Sequence, residues 1–264
     1  MFNKLCLTTT VCSLLLSGCS VSPPLKQVPS TIHSTSNSFI SNELPSSTQK
    51  YASTNIEGTY FGVSGASGSV AVGLLFGPIG VAANVAHVNS VNKERVAPLT
   101  NLTSQNLSKI LSQEISTIQS GNDRSSASYK ITPAANLYFK SNNAYFLGCT
   151  ITAELTQTNG TKPWKARYAI PVEGIFDSSS ASDTIKASGA LAPCLHNAYE
   201  LFNEHITGKL GVFDKRTVTN QTIDDKKTTD QILQVAVSKL PEKILVNDTW
   251  GVFELRRSEI TQIK

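Results

Sequence analysis

The chain has 264 residues, with 23 Lys and Arg against 19 Asp and Glu and a formal net charge of +4. That length allows one large domain or two small ones with a real core, and charged residues make up only 16% of it. So slight a positive balance is not the basic footprint of a nucleic-acid-binding protein.

Lys4 makes the N-terminus positive, and an apolar run follows from Leu5 to Leu16. The run is shorter than the roughly 20 apolar residues a membrane-spanning helix needs. Its size and order are those of a secretory signal. Ser17 and Gly18 then precede Cys19 directly. Leu16-Ser17-Gly18-Cys19 resembles the lipobox of bacterial lipoproteins. The resemblance implies cleavage before Cys19 and acyl chains, palmitate among them, on its sulfur and new amino terminus. Three chains anchor stably where one is marginal. Ser20, rather than Asp, at the next position implies sorting to the outer membrane, with the protein facing the periplasm. Removing residues 1–18 leaves 246 (264 − 18), and the loss of Lys4 takes the charge from +4 to +3. Cys6 and Cys12 leave with the signal, and Cys19 carries lipid. Cys149 and Cys194 remain in an oxidising compartment, where they most simply form one disulfide. The alternative is two buried free thiols.

Residues 19–56 are rich in Ser, Thr, Pro and Asn and predict a disordered tether. Roughly 36 such residues span about 35 Å as a flexible coil. Phe39, Ile40 and Leu44 are incidental apolar residues within it or a small docking patch.

Residues 57–92 form a glycine-rich apolar segment with no Asp, Glu, Lys or Arg between Glu57 and Lys93. Gly65, Ser69, Gly73 and Gly77 recur every four residues, which on a helix stacks small residues on one face and lets another backbone approach. Gly77-Pro78-Ile79-Gly80 reads as a turn, and Val81 to Val88 is a second apolar run. From Gly62 to Val88 this resembles the glycine-zipper hairpin of several bacterial envelope lipoproteins. The resemblance implies a membrane-embedded or self-associating hairpin and a homo-oligomer. The residues alone equally fit a buried helix and a glycine-rich loop packed on the following domain.

Residues 93–264 predict an α+β domain: an antiparallel sheet with helices packed on one face. Lys93 to Ile118 reads as one amphipathic helix, with Leu99, Leu102, Leu107, Ile110, Leu111, Ile115 and Ile118 at helical steps. A strand includes Asn136 to Lys140. In the next, Tyr145, Leu147, Cys149, Ile151, Ala153 and Leu155 alternate with polar residues. Asn159-Gly160 signals a hairpin turn. The return strand alternates Trp164, Ala166, Tyr168 and Ile170, and the turn sets Leu155 opposite Trp164, Ala153 opposite Ala166 and Ile151 opposite Tyr168.

Phe176 to Asp183 reads as a Ser-rich loop. A helix covers about Ala192 to Ile206, with Pro193 in its first turn and Leu195, Ala198, Phe202 and Ile206 inward. Cys194 near its start and Cys149 on the sheet can staple helix to sheet if their atoms come within reach. Thr217 to Thr222 reads as a strand or a loop. Thr228 and Gln231 resemble a capping box opening a short helix with Ile232, Val235, Ala236 and Leu240. Three short strands follow, about Ile244 to Val246, Val252 to Leu255 and Ile260 to Ile263.

The chemistry-bearing motifs are few. His196 and Glu200 share a helix face with Glu204 and His205 nearby, but HExxH is absent and a solvated face is the simpler reading. No Gly-x-Ser-x-Gly elbow, phosphate loop or dinucleotide fingerprint occurs. Lys162, Lys165 and Arg167 form a basic strip or a solvated face. No catalytic residue, cofactor or metal is expected. The expectation is a lipid-anchored envelope protein with a structural or accessory role, binding itself or an envelope partner. The alternative is an auxiliary lipoprotein subunit of a transport or outer-membrane assembly machine.

Overall fold

A computed structural model of the chain describes residues 26–28, 37–41, 61–65, 94–116, 128–155, 164–221, 228–240 and 242–264. In chain order its elements are β1 (Asn37–Ile40), β2 (Phe61–Gly65), α1 (Thr100–Thr103), α2 (Leu107–Ser116), β3 (Ser128–Phe139), β4 (Ala144–Leu155), β5 (Trp164–Pro171), β6 (Phe176–Asp177), α3 (Ala181–Ile206), β7 (Phe213–Gln221), β8 (Thr228–Ala236), β9 (Leu245–Asn247), β10 (Gly251–Glu254) and β11 (Ile260–Ile263). The strands make one sheet in the order β1-β3-β4-β5-β10-β9-β8-β7-β11. β2 follows β1 along the outer edge of β3, and β6 sits beside β5 on β4. The fold is α+β. The sheet is mixed rather than purely antiparallel, because β1 and β2 run parallel to β3 and β10 runs parallel to β5.

The centre of the sheet follows from period-two patterning. β4 and β5 pair with Leu155 opposite Trp164, Ala153 opposite Ala166 and Ile151 opposite Tyr168, as the alternation requires. The Asn159-Gly160 turn itself lies outside the described residues. Tyr145, Leu147, Cys149, Ile151, Ala153 and Leu155 all join the main core cluster. The strand expected near Asn136 is much longer and spans the whole of β3.

α3 packs on that face. Its buried residues Ala187, Leu191, Cys194, Leu195, Ala198, Tyr199, Leu201, Phe202 and His205 recur at three- and four-residue steps. The helix has 26 residues and begins well before Ala192. Ser180 caps it, its Oγ accepting from the Asp183 amide at 3.2 Å. The Asp183 carboxylate adds favourable charge in the first turn. Pro193 therefore lies inside the helix, not at its start. It removes one backbone bond at an exposed position. Leu191, Cys194 and Leu195, buried on either side of it, keep the helix on the sheet. Cys149 and Cys194 are joined by a disulfide with Cα atoms 5.7 Å apart.

Other expectations are corrected. The helix over 93–118 is broken, because Ser104 to Asn106 interrupt it and Asn106 Oδ1 starts α2 by accepting from the Lys109 amide at 2.9 Å. The loop over Phe176–Asp183 contains β6 and the start of α3. The helix expected after Thr228 is β8, which pairs with β7 from Thr228 to Ala236. That ladder, with Leu233 and Val235 buried in a second cluster with Val218, Ile244, Val246 and Leu255, outweighs a local capping signal. The tether is not free throughout: Asn37–Ile40 is a strand, Ile40 packs on the core, and residues 26–28 contact the domain. Gly65 ends a strand rather than opening a helical stripe. Ser69, Gly73 and Gly77 lie outside the described residues, as does Cys19.

The bridge closes a separation of 45 residues, worth about 4 kcal/mol in the chain-entropy model. A Cys149→Ala/Cys194→Ala variant should lose stability of that order in urea unfolding. An unchanged unfolding midpoint would show that α3 and β4 hold together without the bridge.

Candidate functional site

The ends of three elements converge beside the start of β5. A tight approach brings them together. Gly251 opens β10 with φ 152°, and a Cβ there would stand 1.8 Å from the Arg167 carbonyl oxygen. Only glycine permits this contact, which lets the Arg167 amide donate to the Trp250 carbonyl at 2.8 Å. Asp248 shapes the turn, accepting from the Trp250 and Gly251 amides at 2.6 and 3.1 Å. Burial pushes its carboxyl up, while those two amides, the Arg167 guanidinium and the Lys26 ammonium pull it back. Asn247 at the end of β9, Trp164 at the start of β5 and His205 in the last turn of α3 all reach the backbone of residues 26 and 27.

These side chains hold residues 26–28. Asn247 grips the Lys26 backbone twice: its Oδ1 accepts from the Lys26 amide at 2.9 Å, and its Nδ2 donates to the Lys26 carbonyl at 3.3 Å. Trp164 Nε1 donates to the Gln27 carbonyl at 2.8 Å. The Lys26 ammonium lies 5.8 Å from the Trp164 ring centroid. His205 also bonds the Lys26 backbone. Its Nδ1 lies 2.8 Å from the Tyr168 hydroxyl. Burial lowers His205 from 6.5 to about 4; the bond to the Lys26 backbone opposes this and the Lys26 charge adds to it. The ring is thus neutral near pH 7. Tyr168 Oη and His205 Nδ1 share one hydrogen bond, whose direction follows the ring's tautomer. Tyr168 is fully buried, which holds its hydroxyl well above the ordinary tyrosine value and keeps it protonated.

All of these hydrogen bonds fall on main-chain atoms of the strap. The site thus holds residues 26 and 27 through their main chain, with the Lys26 ammonium beside the Trp164 ring. The buried titratable groups here are engaged with one another or with the strap.

The residues expected on one helix face separate. His196 lies between Glu114 of α2 and Glu200, at 3.5 and 3.4 Å, and its Nδ1 makes no hydrogen bond. Glu204 pairs with Lys239 at 2.7 Å, and His205 turns inward. Among the described residues no three His, Cys, Asp or Glu side chains gather as metal ligands. Lys165 pairs with Glu154 across the β4–β5 ladder, which partly neutralises the basic strip and suits the alternative of a solvated face. Lys162 lies outside the described residues. Sequence reading placed Trp164 inward but did not connect it with Asn247 or His205. The turn-forming run Asn247-Asp248-Thr249-Trp250-Gly251 was the available signal.

No protein-family model and no curated protein matches the sequence. Among solved structures, a "putative lipoprotein" from Caulobacter crescentus CB15 aligns at 10% identity over 44% of this chain and 96% of its own, with a TM-score of 0.26. So low a score carries no argument about fold or role. Among the described residues no helix is long and apolar enough to cross a membrane.

Two outcomes follow. Asn247→Ala removes both side-chain bonds to Lys26, so hydrogen exchange at the Lys26 amide should quicken about tenfold or more while β4 amides keep their protection. Equal exchange in both proteins would show that the strap is held otherwise. The second concerns acid. The unfolded chain takes a proton at His205 near pH 6.5 and the folded chain only near pH 4. The stabilisation is therefore complete above pH 6.5 and lost as pH falls through this window, by about 3 kcal/mol. Asp248 and Glu254, both raised by burial, act in the opposite sense. The comparison is thus with His205→Asn: less stable at pH 7.5, but with a flatter profile between pH 6.5 and 4. A parallel profile would remove His205 from the account.

Proposed function

We propose that this chain is a lipid-anchored protein of the bacterial envelope, with a structural or accessory role, whose α+β domain is held near the membrane to bind itself or another envelope protein. The observation that carries this reading is the Leu16-Ser17-Gly18-Cys19 lipobox behind a positively charged, apolar signal. The strap adds to it. Lys26 is seven residues from Cys19 (26 − 19), a span of about 24 Å when fully extended. A domain that grips Lys26 stays close to the head groups instead of ranging on a long tether. Ser20 places the anchor in the outer membrane in this reading. The titratable side chains at the strap are committed to structure, which fits a binding role better than catalysis. The charge-free segment between Glu57 and Lys93 supplies the surface for self-association.

The test is expression of the wild-type chain and Cys19→Ser in a Gram-negative host with labelled palmitate, followed by membrane fractionation and crosslinking. Wild type should take up label, sediment with the outer membrane and crosslink to itself or to one envelope partner. Cys19→Ser should lose the label and mature anchoring. Stoichiometric capture of a single transport or assembly machine would make the chain an auxiliary subunit of it. An unlabelled, freely secreted wild-type chain would contradict the proposal.

A further inference from the structure

At the sheet edge remote in sequence from the strap, β7, β11 and the turns beside them enclose a cleft of 380 Å³. Its lining is Arg216, Leu240, Arg257, Ile260, Thr261, Gln262 and Ile263. Two guanidinium groups and no carboxylate are in that lining. Arg216 projects from β7, and its Nη2 lies 3.6 Å from Asp214, two residues away on the same strand. Its Nε is buried and makes no hydrogen bond. An unsatisfied buried donor on a charged group costs free energy unless a ligand or water meets it. Arg257 is exposed in the turn that leads into β11. Thr261 already donates to the Thr219 carbonyl at 3.1 Å, which leaves Arg257, the unmet Nε of Arg216 and the Gln262 amide as the donors of the lining.

Beside Thr261 and Gln262, the rest of the wall is apolar. Leu240, Ile260 and Ile263 are partly buried and pack on the second core cluster. The cleft thus pairs a cationic mouth with a floor continuous with the hydrophobic interior. Its volume lies near the lower end of the usual range for small-molecule sites, roughly 300–1,000 Å³. That leaves room for a head group and a short length of chain.

We propose that this cleft binds an amphiphilic anion. A carboxylate or phosphate head is held by Arg216 and Arg257, and its aliphatic part lies on Leu240, Ile260 and Ile263. Guanidinium suits either head because its fork of donors matches both. The site is separate from the strap, and it stands or falls independently of the lipid on Cys19.

The experiment uses the full chain in nanodiscs of zwitterionic lipid, with a diazirine-bearing dodecanoate as probe. Crosslinked peptides are mapped by mass spectrometry, and dodecanoate, dodecyl phosphate, dodecanol and inorganic phosphate serve as competitors. Saturable labelling within residues 240–263, displaced by dodecanoate or dodecyl phosphate and not by dodecanol, is the expected result. Which of the two competes better identifies the head group. Because Arg257 is exposed, Arg257→Ala tests the site without disturbing the core. It should weaken labelling about tenfold, with an unchanged melting curve. Arg257→Lys should recover part of the loss. Displacement by dodecanol as effective as by dodecanoate, or labelling unaffected by Arg257→Ala, would overturn the proposal. Displacement by inorganic phosphate alone would overturn the apolar half of it.

Discussion

The contact between α3 and β4 is the constraint on which the rest of the domain depends. Both elements are patterned for it, with apolar residues at helical steps along one and at alternate positions along the other. The Cys149–Cys194 bridge fixes which part of the helix meets which part of the strand. With that alignment set, the last turn of α3 falls beside β5, and His205 reaches the Tyr168 hydroxyl. The aromatic packing follows: Phe202 stands edge-on to both Tyr129 and Tyr168, joining β3, β5 and the helix in one cluster. A shift of one helical turn, about 5.4 Å, would move His205 away from the strap.

A second close approach completes the site from the opposite side. Gly251 allows β10 to run against Arg167 of β5, bringing Asn247 and Asp248 next to the helix end. Three distant stretches of sequence thus meet around the backbone of residues 26–28. The interior on the β7–β8–β9 side is a separate cluster with its own composition. The Arg216–Arg257 cleft opens on that side, so the two candidate binding surfaces rest on different parts of the core.

Much of the sheet was legible because period-two alternation and turn chemistry agreed: the β4–β5 register and the short C-terminal strands follow directly from them. Other features were hidden by competing local signals. The start of α3, through Asp183, falls in the Ser-rich stretch that reads as a loop, and Pro193 reads as a helix start. Tertiary burial of Ala187 and Leu191 extends the helix through them. At Thr228 a capping signal was overridden by a long ladder with β7. The strap was illegible for a different reason. Its hydrogen bonds fall on its main chain, and the one side chain that takes part, Lys26, carries no pattern that points to Trp164. Only the receptor residues carry a signature, and they are far apart: Trp164, His205 and Asn247.

In the proposed reading, the strap holds the domain close to a lipid anchor on Cys19. The most direct measurement is the distance from the domain to the bilayer in the full chain expressed in a Gram-negative host and reconstituted in lipid. A fluorophore introduced at exposed Trp250 would transfer energy to acceptors in the head groups. A short, narrow distance distribution in the wild type, widening and lengthening in Asn247→Ala, is predicted. A broad distribution identical in both proteins would contradict the strap as the element that sets the domain's position.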